Sequence, residues 1–172
     1  NRVSFGQAVC MLGDADARDN TPAMQAHEKY MEVLLELSGE ENANARNSEI
    51  VTFLKDILQS GLTVQEIIAG KSYNIYTQEE LQSLYTNIDV DKMLESAGIS
   101  GQEFYVVRDE KAIAKTNEYL TQEHLDMMKD YSRVTLLMDY ADVLPGAYQE
   151  AKLEYDKVID GVTESAPQEQ KA

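Results

Sequence analysis

The chain has 172 residues and a formal net charge of −16, with 31 acidic and 15 basic side chains. This charge disfavours binding to nucleic acid or to an anionic membrane, because either polyanion would repel the protein. Hydrophobic residues make up 43% of the sequence, which is enough to bury a core within one domain of this length. No apolar run reaches the roughly 20 residues that a membrane-spanning helix requires.

Cys10 is the only cysteine, so the chain holds no internal disulfide, and cysteine usage leaves the redox compartment open. The sequence begins at Asn1, in NRVSFGQAV, without a methionine and without a signal peptide. We therefore expect a segment of a longer chain, for which the missing targeting information says nothing about localisation.

The stretch GDADARDNTP places carboxylates at alternate positions, as an EF-hand calcium loop does. Asp14 and Asp16 fit the first and third ligand positions, but Arg18 occupies the fifth. The loop also lacks the glycine and the bidentate glutamate that such a site needs at its sixth and twelfth positions. We interpret it instead as the approach to a helix, with Thr21 as the N-cap and Pro22 in the first turn.

Helical periodicity of apolar residues dominates the following sequence. The first pattern runs from Thr21 to a stop at Gly39, and the second, SEIVTFLKDILQSG, ends at Gly61. Each glycine is a natural helix terminator. The sequence therefore predicts two successive amphipathic helices in this part of the chain.

Two capping boxes and an aspartate mark the next helix starts. Thr63 with Glu66, and Thr77 with Glu80, are each spaced so that hydroxyl and carboxylate satisfy orphan N–H groups at a helix N-terminus. Asp89 is placed to open a further short helix. These polar residues are therefore interpreted as structural.

One extended candidate interrupts the helices. The segment EFYVV, at 103–107, is rich in aromatic and β-branched residues, but no other segment has comparable β character. It is therefore either an isolated extended segment or one that pairs with chain outside this sequence. The predicted fold class is mainly α, a multi-helix lobe with at most one short extended segment near 103–107.

Three more helices are predicted towards the C-terminus. Asp109 caps the first, Thr121 caps a longer one that runs to about Tyr140, and Pro145 starts the last, which leads to Gly161. On the second of these helices the predicted core-facing residues are Leu125, Met128, Val134, Leu137 and Met138. The remaining residues, TESAPQEQKA, read as a polar tail.

The fragment HEKYM, which begins at His27, is half of the H-E-x-x-H zinc-peptidase motif. In that motif two histidines one helical turn apart bind the metal and the glutamate acts as base. Met31 stands in place of the second histidine, and a thioether does not replace an imidazole for Zn²⁺ in such a site. His27 and Glu28 are therefore not expected to be catalytic, and His27 is expected to be an exposed or capped histidine.

The other candidates for chemistry are few. His124 is interpreted as a solvated residue in the first turn of a helix. The methionines are interpreted as core filler, with a malleable binding surface as the alternative; they include Met93, Met127, Met128 and Met138. No nucleophile elbow, phosphate loop or dinucleotide fingerprint is present. We therefore expect no catalytic, cofactor-binding or metal-binding residue in this segment.

Three stretches in a fixed order carry a family resemblance: YNIYTQEELQSLYTNIDVDKML, FYVVRDEKAIAKTNEYL and LDMMKDYSRVTLLMDYADVLPGAYQEAKLEYDKVIDGVTE. Together they resemble the non-catalytic N-terminal helical region of the neprilysin family, the neprilysin-like and endothelin-converting-enzyme-like zinc metalloendopeptidases. The upstream LGDADARDN resembles the family's L-G-x-x-x-R-D approach to the first helix of this region. The resemblance extends from about Leu12 to Thr163 and depends on the order and spacing of the motifs.

The sequence departs from the family at three points. The family often has tryptophan where Val90 stands, and it usually has a tryptophan- and arginine-containing segment after the last helix, where this chain has PQEQKA. The disulfides common in animal members cannot form with Cys10 alone. A divergent bacterial member, cut before its catalytic half, would account for all three differences.

The resemblance implies a parent zinc-dependent metalloendopeptidase. Its zinc and general base would lie on an H-E-x-x-H helix outside this segment, so the segment alone would be inactive and would hold no cofactor. By the same resemblance, residues 1–20 are a lead-in segment, 21–162 a helical non-catalytic lobe and 163–172 a polar tail. The implied partners are the catalytic lobe of the same chain and oligopeptide substrates, with no nucleic acid and no membrane contact by this segment.

The implied role of the lobe is to enclose the active-site chamber and restrict entry to oligopeptides. The expected location, by resemblance, is extracellular or in the cell envelope. The alternative is a stand-alone acidic helical binding or adapter module, whose exposed tyrosines and methionines would engage a protein partner. An H-E-x-x-H helix in the reading frame beyond Ala172 would support the first interpretation.

Overall fold

The computed structural model describes residues 4–5 and 12–161, and these residues confirm the mainly α fold class. Their α-helices are α1 (Asp14–Asp19), α2 (Pro22–Leu37), α3 (Ala43–Ser60), α4 (Val64–Ile68), α5 (Gln78–Leu84), α6 (Val90–Ser96), α7 (Glu110–Tyr119), α8 (Leu125–Tyr140) and α9 (Gly146–Ile159). Their strands are β1 (Ser4–Phe5), β2 (Asn74–Tyr76) and β3 (Tyr105–Val107). A 3₁₀ turn at Ala141–Val143 joins α8 towards α9. Over the described ranges, no helix has both the length and the hydropathy that crossing a bilayer requires.

The described residues fall into two compact units, and each unit is assembled from two separate pieces of chain. The first unit takes its residues from Asn1–Asp14 and Phe53–Leu125. The second takes its residues from Ala15–Thr52 and Asp126–Ala172. Helix α3 therefore supplies residues to both units.

A small sheet lies in the first unit, with the strand order β1, β3, β2. The central strand β3 coincides with the predicted extended segment, and all three of its residues are buried. It pairs antiparallel with β2, where Tyr76 lies opposite Tyr105, and parallel with β1, where Ser4 lies opposite Val106.

The sequence predicted at most one extended segment. This part of the prediction is corrected, because β3 pairs with two further short strands. Strands of two and three residues are too short to show the alternation of apolar and polar side chains that marks a strand in a sequence. The parallel partner is also separated from β3 by about a hundred residues, so local pattern gives no sign of the pairing.

The core of the first unit packs around β3. Its buried members come from α5, α6, α7, two of the strand residues and the connections between elements: Leu81, Tyr85, Val90, Leu94, Tyr105, Val107 and Ile113. Tyr105 is fully buried, and its hydroxyl lies 3.0 Å from the Ile99 carbonyl oxygen and 3.1 Å from Gln78 Oε1. The enclosed hydroxyl therefore retains hydrogen-bond partners, as a buried polar group requires.

The helix starts in the first unit follow the predicted caps. Both capping boxes form, with Thr63 and Thr77 each accepting from the backbone N–H three residues later and Glu66 and Glu80 each accepting from the cap residue's N–H. Asp89 likewise caps α6 through the N–H of Lys92. Short helices of this kind need such termini because they have few internal hydrogen bonds of their own.

Asp109 joins two turns of the first unit. Its Oδ1 accepts from Ala112 N at 2.9 Å and so caps α7, while its Oδ2 accepts from Leu62 N at 2.7 Å in the turn between α3 and α4. A Cβ atom on Gly61 would come within 2.9 Å of the same Oδ2. Glycine at this position therefore keeps room for the carboxylate that links α7 to the end of α3.

The predicted cap at Thr121 is wrong. Helix α8 begins at Leu125, four residues later, and Thr121 Oγ1 instead lies 3.0 Å from His124 Nδ1. The predicted core face of α8 is also partly wrong, because Leu125 is 40% exposed. The buried residues of this helix are Met127, Asp130 and Val134, a stripe that includes a charged residue.

The second unit is built from longer helices. Helices α2 and α9 pack against each other along their length, and Tyr148 of α9 donates a 2.9 Å hydrogen bond to the carbonyl of Leu37 at the end of α2. Thr21 caps α2 and Pro22 occupies its first turn, as predicted. This unit encloses three polar or charged side chains, His27, Asn47 and Asp130.

Candidate functional site

A largely apolar groove of the second unit runs along α2 and α9 and is called here the α2–α9 groove. Its volume is about 720 Å³. Its lining residues come from α2 (Ala26, Lys29, Tyr30, Val33 and Leu37) and from α9 (Ala147, Glu150, Ala151, Glu154, Tyr155 and Val158). A volume of this size falls within the range of protein binding sites.

The apolar lining residues repeat with the period of a helix. On α2 they are Ala26, Tyr30, Val33 and Leu37, and on α9 they are Ala147, Ala151, Tyr155 and Val158. Steps of three and four residues place side chains on one face of a helix. Each helix thus presents an apolar stripe to the groove, and α2 in addition buries a face in the core.

Two stacked tyrosines form the floor of the groove. The rings of Tyr30 and Tyr155 lie 5.0 Å apart with an angle of 18° between their planes. The Tyr30 hydroxyl is buried and has no hydrogen-bond partner among the described residues. Burial, together with the nearby carboxylates of Asp156 and Asp142, raises the pKa of Tyr30, so this phenol stays protonated across the physiological range.

His27 lies beneath the same tyrosines. Its Nδ1 is 3.3 Å from the Tyr155 hydroxyl oxygen, and the side chain is only 3% exposed. Burial lowers the pKa of His27, and the neighbouring Glu28 opposes this shift only in part. The imidazole is therefore neutral at neutral pH and serves as a packed hydrogen-bonding group.

The expectation of an exposed or capped histidine at position 27 is thus corrected, because His27 is buried and contacts Tyr155. The residue lies three positions after Met24 and four before Met31, and both of these side chains are buried on the core face of α2. A helix that buries Met24 and Met31 must bury the position between them. Helical periodicity could have revealed this, but the histidine was interpreted by residue type.

The rim of the groove is charged. Lys29 is paired with Glu32 at 3.1 Å, and Glu154 is paired with Lys157 at 2.5 Å. Glu150 has no ion-pair partner within the described part of the chain. The rim therefore carries one uncompensated carboxylate beside an apolar floor.

A second, polar cleft of about 430 Å³ lies between α2 and α3 in the same unit. Asn47 donates a 2.9 Å hydrogen bond from Nδ2 to the Glu28 carbonyl, and Glu32 accepts one from Asn44 at 3.0 Å. The hydrogen bond from Asn44, followed by that from Lys29, holds the pKa of Glu32 below its usual value. The carboxylate is therefore already engaged in joining α2 to α3.

A charged cluster centres on Asp130, which is 2% exposed. Arg46 Nε lies 2.6 Å from Asp130 Oδ2, and Arg133 Nη1 lies 3.7 Å from Oδ1 and 3.6 Å from Glu40 Oε2. A buried carboxylate needs such partners because its desolvation is costly. The cluster therefore explains how α8 can carry a charge on its buried face.

The remaining candidates from the sequence are separated from the α2–α9 groove in the chain. His124 is half-buried, with its ring 4.9 Å from that of Tyr119, and it precedes α8. Tyr119 donates a hydrogen bond to Asp56, and burial, followed by this bond, raises the pKa of Tyr119 to about 12. Asp14 and Asp16 lie in helix α1, so the calcium-loop geometry is not formed. Cys10 and the polar tail at 163–172 lie outside the described residues.

The side chains of the groove form an apolar surface with two stacked aromatic rings. In the described ranges, no group of three or more His, Cys, Asp or Glu side chains is arranged to hold a metal ion. Tyr30 and Tyr155, the groove's principal side chains, were missed by the sequence analysis because each reads as an ordinary core residue of its helix. Their juxtaposition depends on the pairing of two helices that are far apart in the chain.

The described residues define a mainly α, multi-helix segment, and the comparisons with known proteins give its family. The model of peptidase family M13 matches residues 1–172. The chain belongs to peptidase family M13, as an N-terminal region of a neprilysin-family peptidase. The family resemblance stated from the motifs is thereby confirmed.

A solved structure shares the fold. The zinc metalloprotease Zmp1 of Mycobacterium tuberculosis, determined by cryo-electron microscopy in an open state, superposes with a TM-score of 0.86 at 17% sequence identity. The match covers 99% of this chain and 28% of the mycobacterial chain, so this chain spans less than a third of that protein's length. No curated protein sequence matches the chain.

Proposed function

We propose that residues 21–162 are the non-catalytic helical lobe of a neprilysin-like zinc metalloendopeptidase. In this role the lobe encloses the active-site chamber and limits substrates to oligopeptides. The observation that carries the proposal is the whole-chain match to peptidase family M13, combined with a fold that accounts for 28% of a zinc metalloprotease. Residues 1–20 lead into the lobe and 163–172 leave it as a polar tail.

Physical chemistry supports a role in enclosure over a role in catalysis. The segment lacks the H-E-x-x-H motif. Its one partial match ends in Met31, which is buried on the core-facing side of α2. His27 is enclosed and its pKa is lowered, so it is not presented to a substrate. The zinc and the general base would therefore come from the catalytic lobe of the same polypeptide.

A lobe that excludes folded proteins by steric hindrance must be rigid. Helix termini fixed by side-chain caps and turns joined by Asp109 give the first unit short, well-bonded connections. Such connections restrict local opening, because each removes an otherwise unsatisfied backbone group. This rigidity supports a steric role in substrate selection.

The first test compares this segment with the longest natural product of its gene. We expect the longer product to contain zinc and to hydrolyse a peptide, and the segment of residues 1–172 to do neither. Zinc is measured by metal analysis of the purified proteins and hydrolysis with a fluorogenic peptide. If neither preparation holds zinc or cuts peptides, the peptidase proposal fails and an acidic helical binding module becomes the better reading.

The second test addresses size restriction in the longer product. One cleavable sequence is placed in peptides of increasing length and in an exposed loop of a folded protein. We expect Leu94→Ala, which loosens the first unit's core, to extend cleavage to longer substrates, while Ser96→Ala on the exposed side of α6 does not. An unchanged length limit, with the loosening verified by hydrogen exchange, would show that the lobe does not set it.

A further inference from the structure

We propose that the α2–α9 groove holds an amphipathic α-helix supplied by another part of the same longer polypeptide. The apolar face of that helix lies on the tyrosine floor, and a lysine or arginine on its flank pairs with Glu150. This inference rests on the proposed function, because it requires that the segment is one lobe of a longer peptidase.

The shape of the groove favours a helix. Its two apolar stripes run along neighbouring helices with steps of three and four residues, which is the arrangement that receives a third helix by packing ridges into grooves. Ala26, Ala147 and Ala151 are small and leave recesses between the larger side chains. Large apolar side chains spaced one helical turn apart would enter these recesses.

The groove also leaves apolar surface uncovered at its ends. Val158 is 51% exposed and Leu37 is 37% exposed, and Ala147 of the same α9 stripe is exposed as well, whereas Tyr30 in the middle of the α2 stripe is buried. The two tyrosine hydroxyls offer little to a small polar ligand, because that of Tyr30 is buried and that of Tyr155 lies 3.3 Å from His27 Nδ1. An occupant that covers both ends must run along the helices.

The negative charge of the groove's rim and of the whole chain distinguishes between possible occupants of the groove. In a symmetric pairing of two copies, the carboxylates of the rim would face each other across the interface, and each chain carries a net charge of −16. An anionic membrane surface would be repelled in the same way. A helix with a basic flank would instead compensate Glu150, which has no ion-pair partner within the described ranges.

The source of the helix follows from the extent of the fold match. This chain corresponds to 28% of the mycobacterial metalloprotease, so a family member carries most of its residues outside this segment. A helix on the same polypeptide is present at high effective concentration and needs little intrinsic affinity to occupy the groove. This favours an intramolecular occupant over a separate protein.

Site-specific photocrosslinking in the longest natural product tests the inference. Val158 is replaced by p-benzoylphenylalanine, and Leu136, which is 58% exposed on α8, is replaced in a control variant. We expect the Val158 probe to give a several-fold higher yield of intramolecular crosslink, mapped by mass spectrometry to one amphipathic helix beyond residues 1–172 with a basic flank. Crosslinks to a second copy, to another protein or to no peptide would overturn the inference.

A charge reversal provides a second readout. Glu150→Lys is compared in the longer product with Glu49→Lys, an exposed change on α3 away from the groove. We expect Glu150→Lys to increase amide exchange in α9 and to reduce the crosslink yield from position 158, with neither change in Glu49→Lys. Equal behaviour of the two variants would contradict the predicted pairing with a basic flank.

Failure of this inference is distinguishable from failure of the proposed function. Zinc content and peptide hydrolysis are measured on the unmodified product. A zinc-containing, active product without the intramolecular crosslink overturns the groove occupant alone. A product without zinc or hydrolysis overturns the proposed function and, with it, this inference.

Discussion

The first unit closes its core with aliphatic and tyrosine side chains, whereas the second encloses an imidazole, an amide and a carboxylate among its helices. All three buried polar or charged residues in the described part of the chain, His27, Asn47 and Asp130, belong to the second unit. Burial of apolar groups stabilises a fold without a specific partner, but burial of polar groups stabilises it only when each partner is in place.

This difference indicates how the two units should respond to substitution. Damage to the first unit should scale with the volume of apolar side chain removed. Damage to the second should depend on which member of a polar pair is lost and on pH. The following predictions test this contrast.

The largest effect is expected at Leu94, which is fully buried in the cluster around β3. Leu94→Ala should reduce the free energy of unfolding by about 3 kcal/mol, because it removes buried methyl groups and leaves a cavity. Urea denaturation measures the loss, and hydrogen exchange should locate it in the first unit. Leu136→Ala, at an exposed position, should cost less than about 0.5 kcal/mol. A loss spread equally over both units would contradict the contrast.

The next effect is expected at Asp130. Asp130→Ala leaves Arg46 without its 2.6 Å partner and should cost about 2 kcal/mol, below the range for a fully buried pair, because the Arg46 side chain is 30% exposed and regains water. The same denaturation measurement serves here. Asp126→Ala on the exposed side of α8 removes the pair with Lys129 and should change stability by less than about 0.5 kcal/mol. Equal effects would show that burial does not distinguish the two carboxylates.

Substitutions at predicted helix N-caps should have a smaller effect. They also distinguish Thr77, whose cap forms, from Thr121, whose predicted cap does not. Thr77→Ala removes the hydroxyl that accepts from Glu80 N and should cost about 1 kcal/mol. Thr121→Ala should cost less than about 0.5 kcal/mol, because α8 begins four residues further on. Thermal unfolding of the two variants makes the comparison. A larger loss at Thr121 would contradict the described start of α8.

The smallest effect is expected from the titration of His27. Burial holds its folded-state pKa below 6.5, so between the folded pKa and 6.5 the unfolded chain binds more protons than the folded one. Stability should therefore rise with pH across this window and fall as pH drops below 6.5. The measurement is unfolding free energy against pH for the natural sequence and for His27→Gln, which does not titrate. Identical pH profiles would show that His27 is not linked to folding.

Local signals in the sequence predicted much of the first unit. The capping boxes at Thr63 and Thr77 and the caps at Asp89 and Asp109 are complete within three residues, and each formed as predicted. The mainly α class followed from helical periodicity for the same reason. Features settled within one helical turn are legible in a sequence because few competing arrangements exist over so short a span.

Pairings between distant segments were not predictable in this way. The partner strands of β3 are too short to show an alternating pattern. The stacked rings of Tyr30 and Tyr155 belong to α2 and α9, which are far apart in the sequence. The predicted environment of His27 was wrong because the prediction used the residue type and not the position of His27 on the buried face of α2. The groove could not be predicted because its lining residues on each helix look like ordinary core positions until the helices are paired.

The second unit is built from two pieces of chain that are far apart in the sequence, and this affects how it folds during synthesis on the ribosome. The contact between His27 and Tyr155 spans 128 residues, and that between Leu37 and Tyr148 spans 111 residues. Helix α2 therefore emerges long before α9, the helix that covers it, has been translated. During that interval the apolar side of α2 is available to chaperones and to aggregation, because the helix that packs against it has not yet been made. The second unit should consequently acquire protease resistance only after translation has passed α9.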